Sequence, residues 1–359
     1  MRSDGVTVVI CTYNRCADLP FALDSVLNQR DAPPYEVIVV DNNSTDATAA
    51  VVQARLAAHP NLRYVFESHQ GLPRARNAGI LSARSPIIAF TDDDIVVADD
   101  WVRSIYQAFQ RYPQADCVGG PVLPRWPSAG KPDWFSELQT SPLALQDKGL
   151  RPVFVDQQNA APCLIGANLA FRKSAFAKSG LFDPVYTRTQ DREIQFRLWK
   201  AGGLGVYVPD VVTYVDVPTE RLTKAYFRLW YRRAGRFHSR MRLLEVLDAA
   251  GQLVAPSPAD SCWLGVPPYI YRQLAGAIVA MIGSTLRLNA SRSLYHENKV
   301  RYLTNYIAQR WTEERATVGR AFVDLVRLFR FRRRRRSSAR KVTTAQPLRR
   351  SKDDAPGRR

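Results

Sequence analysis

Two acidic clusters each follow directly on an apolar run, a placement that suits hard-oxygen chemistry better than core packing. The first is Asp41 in V-I-V-V-D-N-N-S-T-D, and the second is T-D-D-D at Thr91 to Asp94, after P-I-I-A-F. Three adjacent carboxylates repel one another unless something positive sits among them. If the chain stays extended there, Asp92 and Asp94 point to one side and Asp93 to the other. Two carboxylates on one side make a seat for Mg2+ or Mn2+, with a ligand diphosphate completing the shell. The plainer alternatives are an acidic solvated loop at Thr91 to Asp94 and, at Asp41, a turn that caps the next helix.

The elements that would hold these clusters are legible. Val6–Ile10, Glu36–Val40, Arg63–Phe66 and Pro86–Phe90 read as short apolar strands. Helical patterns over Leu19–Gln29, Thr45–Ala58 and Gly71–Ala83 lie between them, and another begins near Asp100. Apolar strands spaced by helices predict an α/β fold with a doubly wound, mostly parallel sheet, helices on both faces, and ligands beyond the carboxyl ends of the strands. From Cys117 to Leu164 the pattern weakens into a Pro- and Trp-containing stretch, read as a structured loop region over the site. Beyond Pro218 the chain reads as largely helical, with a linker at Ala255–Asp260.

The chain has 359 residues and a formal charge of +18. Between Arg327 and Arg359 it carries 14 Lys or Arg against Asp353 and Asp354, so most of the imbalance lies in an appendage. Such a tail attracts a polyanion, whether an anionic lipid surface or nucleic acid. The five cysteines are scattered, without zinc-ligand or disulfide-framework spacing. With no signal peptide ahead of the first strand, this predicts a reducing, cytoplasmic setting. The apolar stretch Gln273–Leu286 falls short of the ~20 residues needed to span a bilayer. It is expected to be a buried helix or one lying in the bilayer interface.

The run V-V-I-C-T-Y-N-R, then V-I-V-V-D-N-N-S-T-D, G-L-P-R-A-R-N-A-G and F-T-D-D-D, resembles family 2 glycosyltransferases in order and spacing. The resemblance continues through G-A-N-L-A-F-R-K-S-A-F, G-L-F-D and Q-D-R-E-I-Q-F-R-L. It implies an inverting enzyme of GT-A fold using a nucleotide-diphosphate sugar, with a UDP-sugar favoured. By the same resemblance Thr12, Tyr13, Asn14 and Arg15 help hold the nucleotide, and Asp41 binds the base or ribose. Arg76 and Asn77 line the nucleotide pocket, Asp94 coordinates the metal, and Asp92 ligates it or contacts the ribose, with Asp93 beside them. Asp191 matches the general base. Gly166, Ala167 and Asn168 border the donor sugar and acceptor, beside Gln190. From the residues alone, Asp191 could equally cap the helix expected from Arg192. Trp126, Trp134 and Trp199 could stack on sugar faces or lie in the core.

Two departures from the family pattern stand out. Gln190 occupies a position that is usually Glu, and the stretch V-T-Y-V-D-V-P-T-E-R-L-T lacks the expected His, leaving Asp216 or water to complete the metal shell. Arg221–Arg242 interleaves bases with aromatic residues, read as helix packing with membrane contact and with Arg232 or Arg233 turned toward the diphosphate.

The expected organisation is a catalytic domain over 1–235, with a nucleotide-binding half to 116 and an acceptor half from 117. A helical, membrane-associated extension over 236–331 and a disordered Arg-rich tail over 332–359 follow. The expected acceptor is a lipid-linked saccharide or envelope polysaccharide, reached by an enzyme held peripherally on the inner face of the cell membrane through its basic C-terminal region. The absence of a nucleic-acid motif weighs against a nucleic-acid partner. A nucleotidyltransferase and a non-catalytic nucleotide-sugar-binding scaffold are the competing readings.

Overall fold

The computed structural model describes residues 4–256 and 262–339, with side chains as far as Glu314. All seven residues of β1 (Val6–Thr12) are buried, as a central strand covered on both faces requires. Its side chains divide by parity. Val6, Val8 and Ile10 pack with Leu19 and Leu23 of α1 (Leu19–Leu27), while Val9 and Cys11 pack on the opposite face. There follow β2 (Tyr35–Asp41), α2 (Thr48–Leu56), β3 (Leu62–Phe66), α3 (Leu72–Ser82) and β4 (Ile87–Asp92). These four strands are parallel, in the spatial order β3-β2-β1-β4. The expected strands and helices are all present, each within a few residues of its predicted ends.

The next elements are β5 (Ile95–Val97), α4 (Trp101–Arg111), β6 (Cys117–Gly119), β7 (Val122–Arg125), β8 (Val153–Val155) and β9 (Asn168–Arg172). Among the described residues the main sheet has eight strands, in the order β3-β2-β1-β4-β9-β6-β10-β8, where β10 is Gly205–Tyr207. β9 runs antiparallel between β4 and β6. The register Thr91 opposite Asn168 therefore sets the start of β9 at the end of β4. That single antiparallel insertion delivers Gly166 and Ala167 to the acidic strand end. A smaller sheet, β5-β11-β7, uses β11 (Thr213–Asp216). The loop region expected over 117–164 thus contains β6, β7 and β8, with 3-10 turns at Glu137–Gln139 and Ser141–Leu143.

Between β9 and β10 lie α5 (Ala175–Ser179) and α6 (Gln190–Lys200). After β11 come α7 (Lys224–Arg240), α8 (Leu243–Val246), α9 (Pro268–Leu286) and α10 (Ala290–Ala339). The chain divides into two units, residues 1–310 and 311–359. The boundary expected at 235 falls inside α7 and inside the first unit. Within that unit, Arg228 of α7 forks onto Glu297 of α10 at 2.8 and 2.9 Å, and Tyr306 donates to Glu245 at 3.0 Å. In the second unit the described residues are helical as far as Ala339. Disorder was expected from Arg332 onward; residues 340–359 of that tail lie outside the described residues, as do 257–260 of the expected linker. No helix among the described residues is long and apolar enough to cross a membrane.

α7 and α10 pack closely at Gly235. A Cβ there would lie 2.3 Å from the Tyr302 carbonyl oxygen, a backbone atom that cannot swing aside. Gly235→Ala is expected to destabilise the fold by about 1–3 kcal/mol, as overpacking usually does. A thermal melt checks this. An unchanged midpoint would mean that the two helices are not locked together.

Candidate active site

The carboxyl ends of β1, β2 and β4 and the start of β9 form one rim. In register, Thr12 faces Asp41, and Cys11 faces Asp92. Beyond the rim opens a cavity of about 980 Å3. Thr12, Tyr13, Arg15, Arg76, Asp92, Asp93, Asp94, Gly166, Ala167, Gln190 and Asp191 all line it.

At T-D-D-D the structure corrects the parity argument. β4 ends at Asp92 and the chain turns over Asp93 and Asp94 before β5 begins at Ile95, so all three carboxylates line the cavity. The turn is needed because β5 leaves the main sheet to pair with β11. Burial pushes the Asp93 carboxyl up to about 7; the Thr12 hydroxyl and Arg15 pull it back, and Asp92 and Asp94 push it further. Asp92 is raised too, by burial first and then by Asp94 and Asp191, against the attraction of Arg76. Crowded carboxylates of this kind, short of positive charge, fit a divalent cation. Asp92 and Asp94 could hold it, with a ligand diphosphate and water supplying the remaining oxygens. Among the described residues no group of three or more His, Cys, Asp and Glu forms a ready-made metal cage.

Arg76 of α3 is the counter-charge. It is only 2% exposed and lies over the edge-to-face pair of Phe90 and Phe182, 5.6 and 5.4 Å from their ring centres. Its Nη2 donates to Asp92 at 3.3 Å and to the Gly166 carbonyl at 3.1 Å. A Cβ on Gly166 would sit 2.8 Å from both terminal nitrogens of Arg76, so a side chain there would displace the guanidinium from its place. On the other side of Gly166, its N–H donates to Asp191 Oδ2 at 2.9 Å. Asp191 is not the helix cap, because α6 begins at Gln190 after Thr189. Its carboxylate instead bridges to the loop ahead of β9 and faces the cavity.

Several predicted contacts lie outside the cavity lining. Asp41 is 1% exposed and accepts hydrogen bonds from the Ser44 N–H and the Tyr64 hydroxyl, so it organises the turn after β2. Asn14 accepts from the Thr45 N–H at 2.7 Å, knitting the same two turns. Asn77 exchanges two hydrogen bonds with the Phe182 backbone. Asn168 donates to the carbonyls of Pro121 and Val211 and accepts from the Trp101 indole. Trp126 stacks edge-on against Phe135, Trp134 packs on Phe227, and Trp199 is fully buried. Asp216 is exposed and does not line the cavity, although it follows Val215, which pairs with Ile95 next to Asp94.

One wall was only partly foreseen. Tyr226, Leu229, Trp230, Arg233, Phe237 and His238 of α7 line the cavity, Arg233 in line with the expected basic contact. Their spacing of three, four and seven residues is a helical face that the sequence carried. Arg221, just ahead of α7, reaches within 3.5 Å of Asp94. Cys11 also lines the cavity, but burial pushes its thiol up to about 12, which leaves it protonated and a poor nucleophile.

Residues 7–180 match the glycosyl transferase family 2 model. Those residues carry a family 2 glycosyltransferase domain. The chain is 28% identical over 193 residues to a glucosyl-dolichyl phosphate glucuronosyltransferase of Haloferax volcanii, covering 53% of this chain and 59% of the relative. It is 26% identical over 245 residues to the succinoglycan biosynthesis protein ExoM of Rhizobium meliloti, covering 66% of this chain and 74% of that one. The chain thus spans less than two thirds of the first of these relatives. A solved mannosyltransferase from Pyrobaculum calidifontis, in complex with GDP-Man and Mn2+, shares the fold. Its TM-score is 0.57 at 20% identity, over 86% of this chain and 88% of that one. The fold is of the GT-A type.

Two expectations follow from the geometry. Asn168→Ala strands two carbonyls and an indole N–H in the interior, at about 1–3 kcal/mol per group. It is expected to lower the melting temperature while leaving nucleotide affinity, read by calorimetry, nearly unchanged. His238 is held neutral because burial, with Arg192 nearby, pushes its pKa down to about 3. The unfolded chain therefore takes up a proton below pH ~6.5 that the folded chain refuses, so stability falls as pH drops toward 3. Relative to wild type, His238→Asn should flatten that fall by up to about 1.4 kcal/mol per pH unit in denaturant titrations.

Proposed function

We propose that this glycosyltransferase moves a sugar from a nucleotide-diphosphate donor, a UDP-sugar for preference, to a hydroxyl acceptor with inversion at the anomeric carbon. The observation that carries the reading is the pairing of two carboxylate centres across Gly166, with Asp191 on its N–H and the Arg76–Asp92 pair on its carbonyl side. In this reading Thr12, Tyr13 and Arg15 border the nucleotide, and Arg76 and Arg233 face the diphosphate. Asp191 takes the proton from the acceptor hydroxyl as that oxygen attacks the anomeric carbon and the bond to the diphosphate breaks. The Gly166 N–H fixes the orientation of the carboxylate, as general-base geometry demands. Mg2+ or Mn2+ on Asp92 and Asp94 would neutralise the charge growing on the departing diphosphate.

The acceptor is proposed to be a lipid-linked saccharide or an envelope polysaccharide. The names of the two relatives, one acting on a glucosyl-dolichyl phosphate and one in succinoglycan biosynthesis, support this. So does the basic C-terminal region, which would hold the enzyme peripherally on the inner face of the membrane.

Calorimetry with UDP, GDP and dTDP, each with and without Mn2+, tests the donor site. One nucleotide should bind in a metal-dependent manner, and Asp94→Ala should abolish that binding. Absence of binding by every nucleotide with metal present would refute the assignment. Asp191→Asn should keep donor affinity and lose about 10²–10⁴-fold in turnover, the usual worth of a general base.

A further inference from the structure

α9 is amphipathic in an inverted sense. Ile270, Ala277 and Ser284, seven residues apart, mark its buried face. Ala275, Val279, Ile282 and Leu286, spaced by four, three and four, fall on the opposite face and are exposed. Val279 is 70% and Leu286 79% exposed, and Gly276 and Gly283 beside them face open space. The apolar surface continues at both ends of the helix, through Trp263 and Leu264 before it and Leu288 after it. Leu264 and Leu288 both adopt positive φ, at 49° and 53°, a strained backbone for leucine, and both side chains are exposed. A contiguous apolar patch of this size marks a docking surface.

The charges around the patch identify its partner. From Cys262 to His296 the sequence contains Arg272, Arg287 and Arg292 and no Asp or Glu. All three arginines are exposed. A second copy docked about a two-fold axis would set this face against itself and bring like charges together without an acid to answer them. An anionic bilayer surface answers both features, taking the apolar side chains below the headgroups and the arginines among the phosphates. An exposed Trp at the helix entrance suits headgroup depth.

We propose that the exposed face of α9, with Trp263, Leu264 and Leu288, seats this enzyme on an anionic lipid bilayer by shallow insertion. This deepens the peripheral-membrane reading above by supplying an apolar contact distinct from the basic C-terminal region. The full chain should float with vesicles of phosphatidylcholine and phosphatidylglycerol, and a fraction should stay bound at about 0.5 M salt, where exposed charges are screened. Val279→Glu with Ile282→Glu should weaken flotation at least about ten-fold by placing charges where apolar side chains would be buried. Because both sites are exposed, the variant should keep its melting temperature and Mn2+-dependent nucleotide binding. Trp263→Ser should produce a smaller loss. Flotation of the double variant equal to wild type would overturn the proposal. So would a wild-type dimer that the double variant converts to monomer, since the face would then join copies of the chain. If the donor-site titration fails while flotation responds as described, the docking surface stands and the catalytic reading falls.

Discussion

A buried guanidinium is the constraint on which the site depends. Burying a charge is expensive unless it is paired and hydrogen-bonded, and Arg76 answers that demand through Nη2 with partners from separate parts of the chain. Its Nη1 is buried with no hydrogen-bond partner among the described residues. Asp92 comes from the end of β4, the Gly166 carbonyl from the loop before β9, and the adjacent rings from Phe90 and Phe182. Removing any one of them leaves the charge worse off, so the group holds its arrangement. Because Gly166 also donates to Asp191, the same small loop fixes the spacing between the acidic strand end and the carboxylate on α6. The absence of a side chain at residue 166 is what allows both contacts at once.

The cavity is electrically divided. Asp92, Asp93 and Asp94 occupy the strand end, while Arg233 and the rings of Trp230 and Phe237 occupy the α7 wall. A ligand with a diphosphate between a base and a sugar would find cation-seeking oxygens on one side and aromatic, basic surface on the other. Nothing in the core could supply such a division, because unpaired charges there would be neutralised or excluded. It survives at the rim because the strands end there and the covering loops can carry polar groups.

Much of this was legible in the sequence, and the failures have physical causes. The first four strands were visible because continuous β-branched runs have few other uses. The three carboxylates were visible because nothing apolar explains them. The parity argument for Asp92 and Asp94 failed because alternation holds only while the chain is extended, and the need of β5 to join a second sheet turns it first. Asn14, Asn77 and Asn168 were expected to face ligands, yet each spends its amide on backbone groups or an indole. An asparagine that clamps a loop and one that binds a sugar look the same in a sequence. His238 was overlooked for the opposite reason: a histidine was sought at a fixed distance along the chain, whereas α7 delivers one at helical spacing from Trp230.

The antiparallel entry of β9 has a consequence for how the protein comes to be made. The four strands that end at Asp92 emerge from the ribosome before β9, and the last of them has an open edge until residues 168–172 have been synthesised. An open strand edge is a template for wrong pairing, and pairings distant along the chain are slow to form. For that interval the nascent chain holds most of its acidic rim but has neither Gly166 to seat Arg76 nor Asp191 to complete the site. Closure of the edge therefore comes before completion of the site, which waits for Asp191 of α6, and chains that stall before β9 are at once inactive and prone to stick.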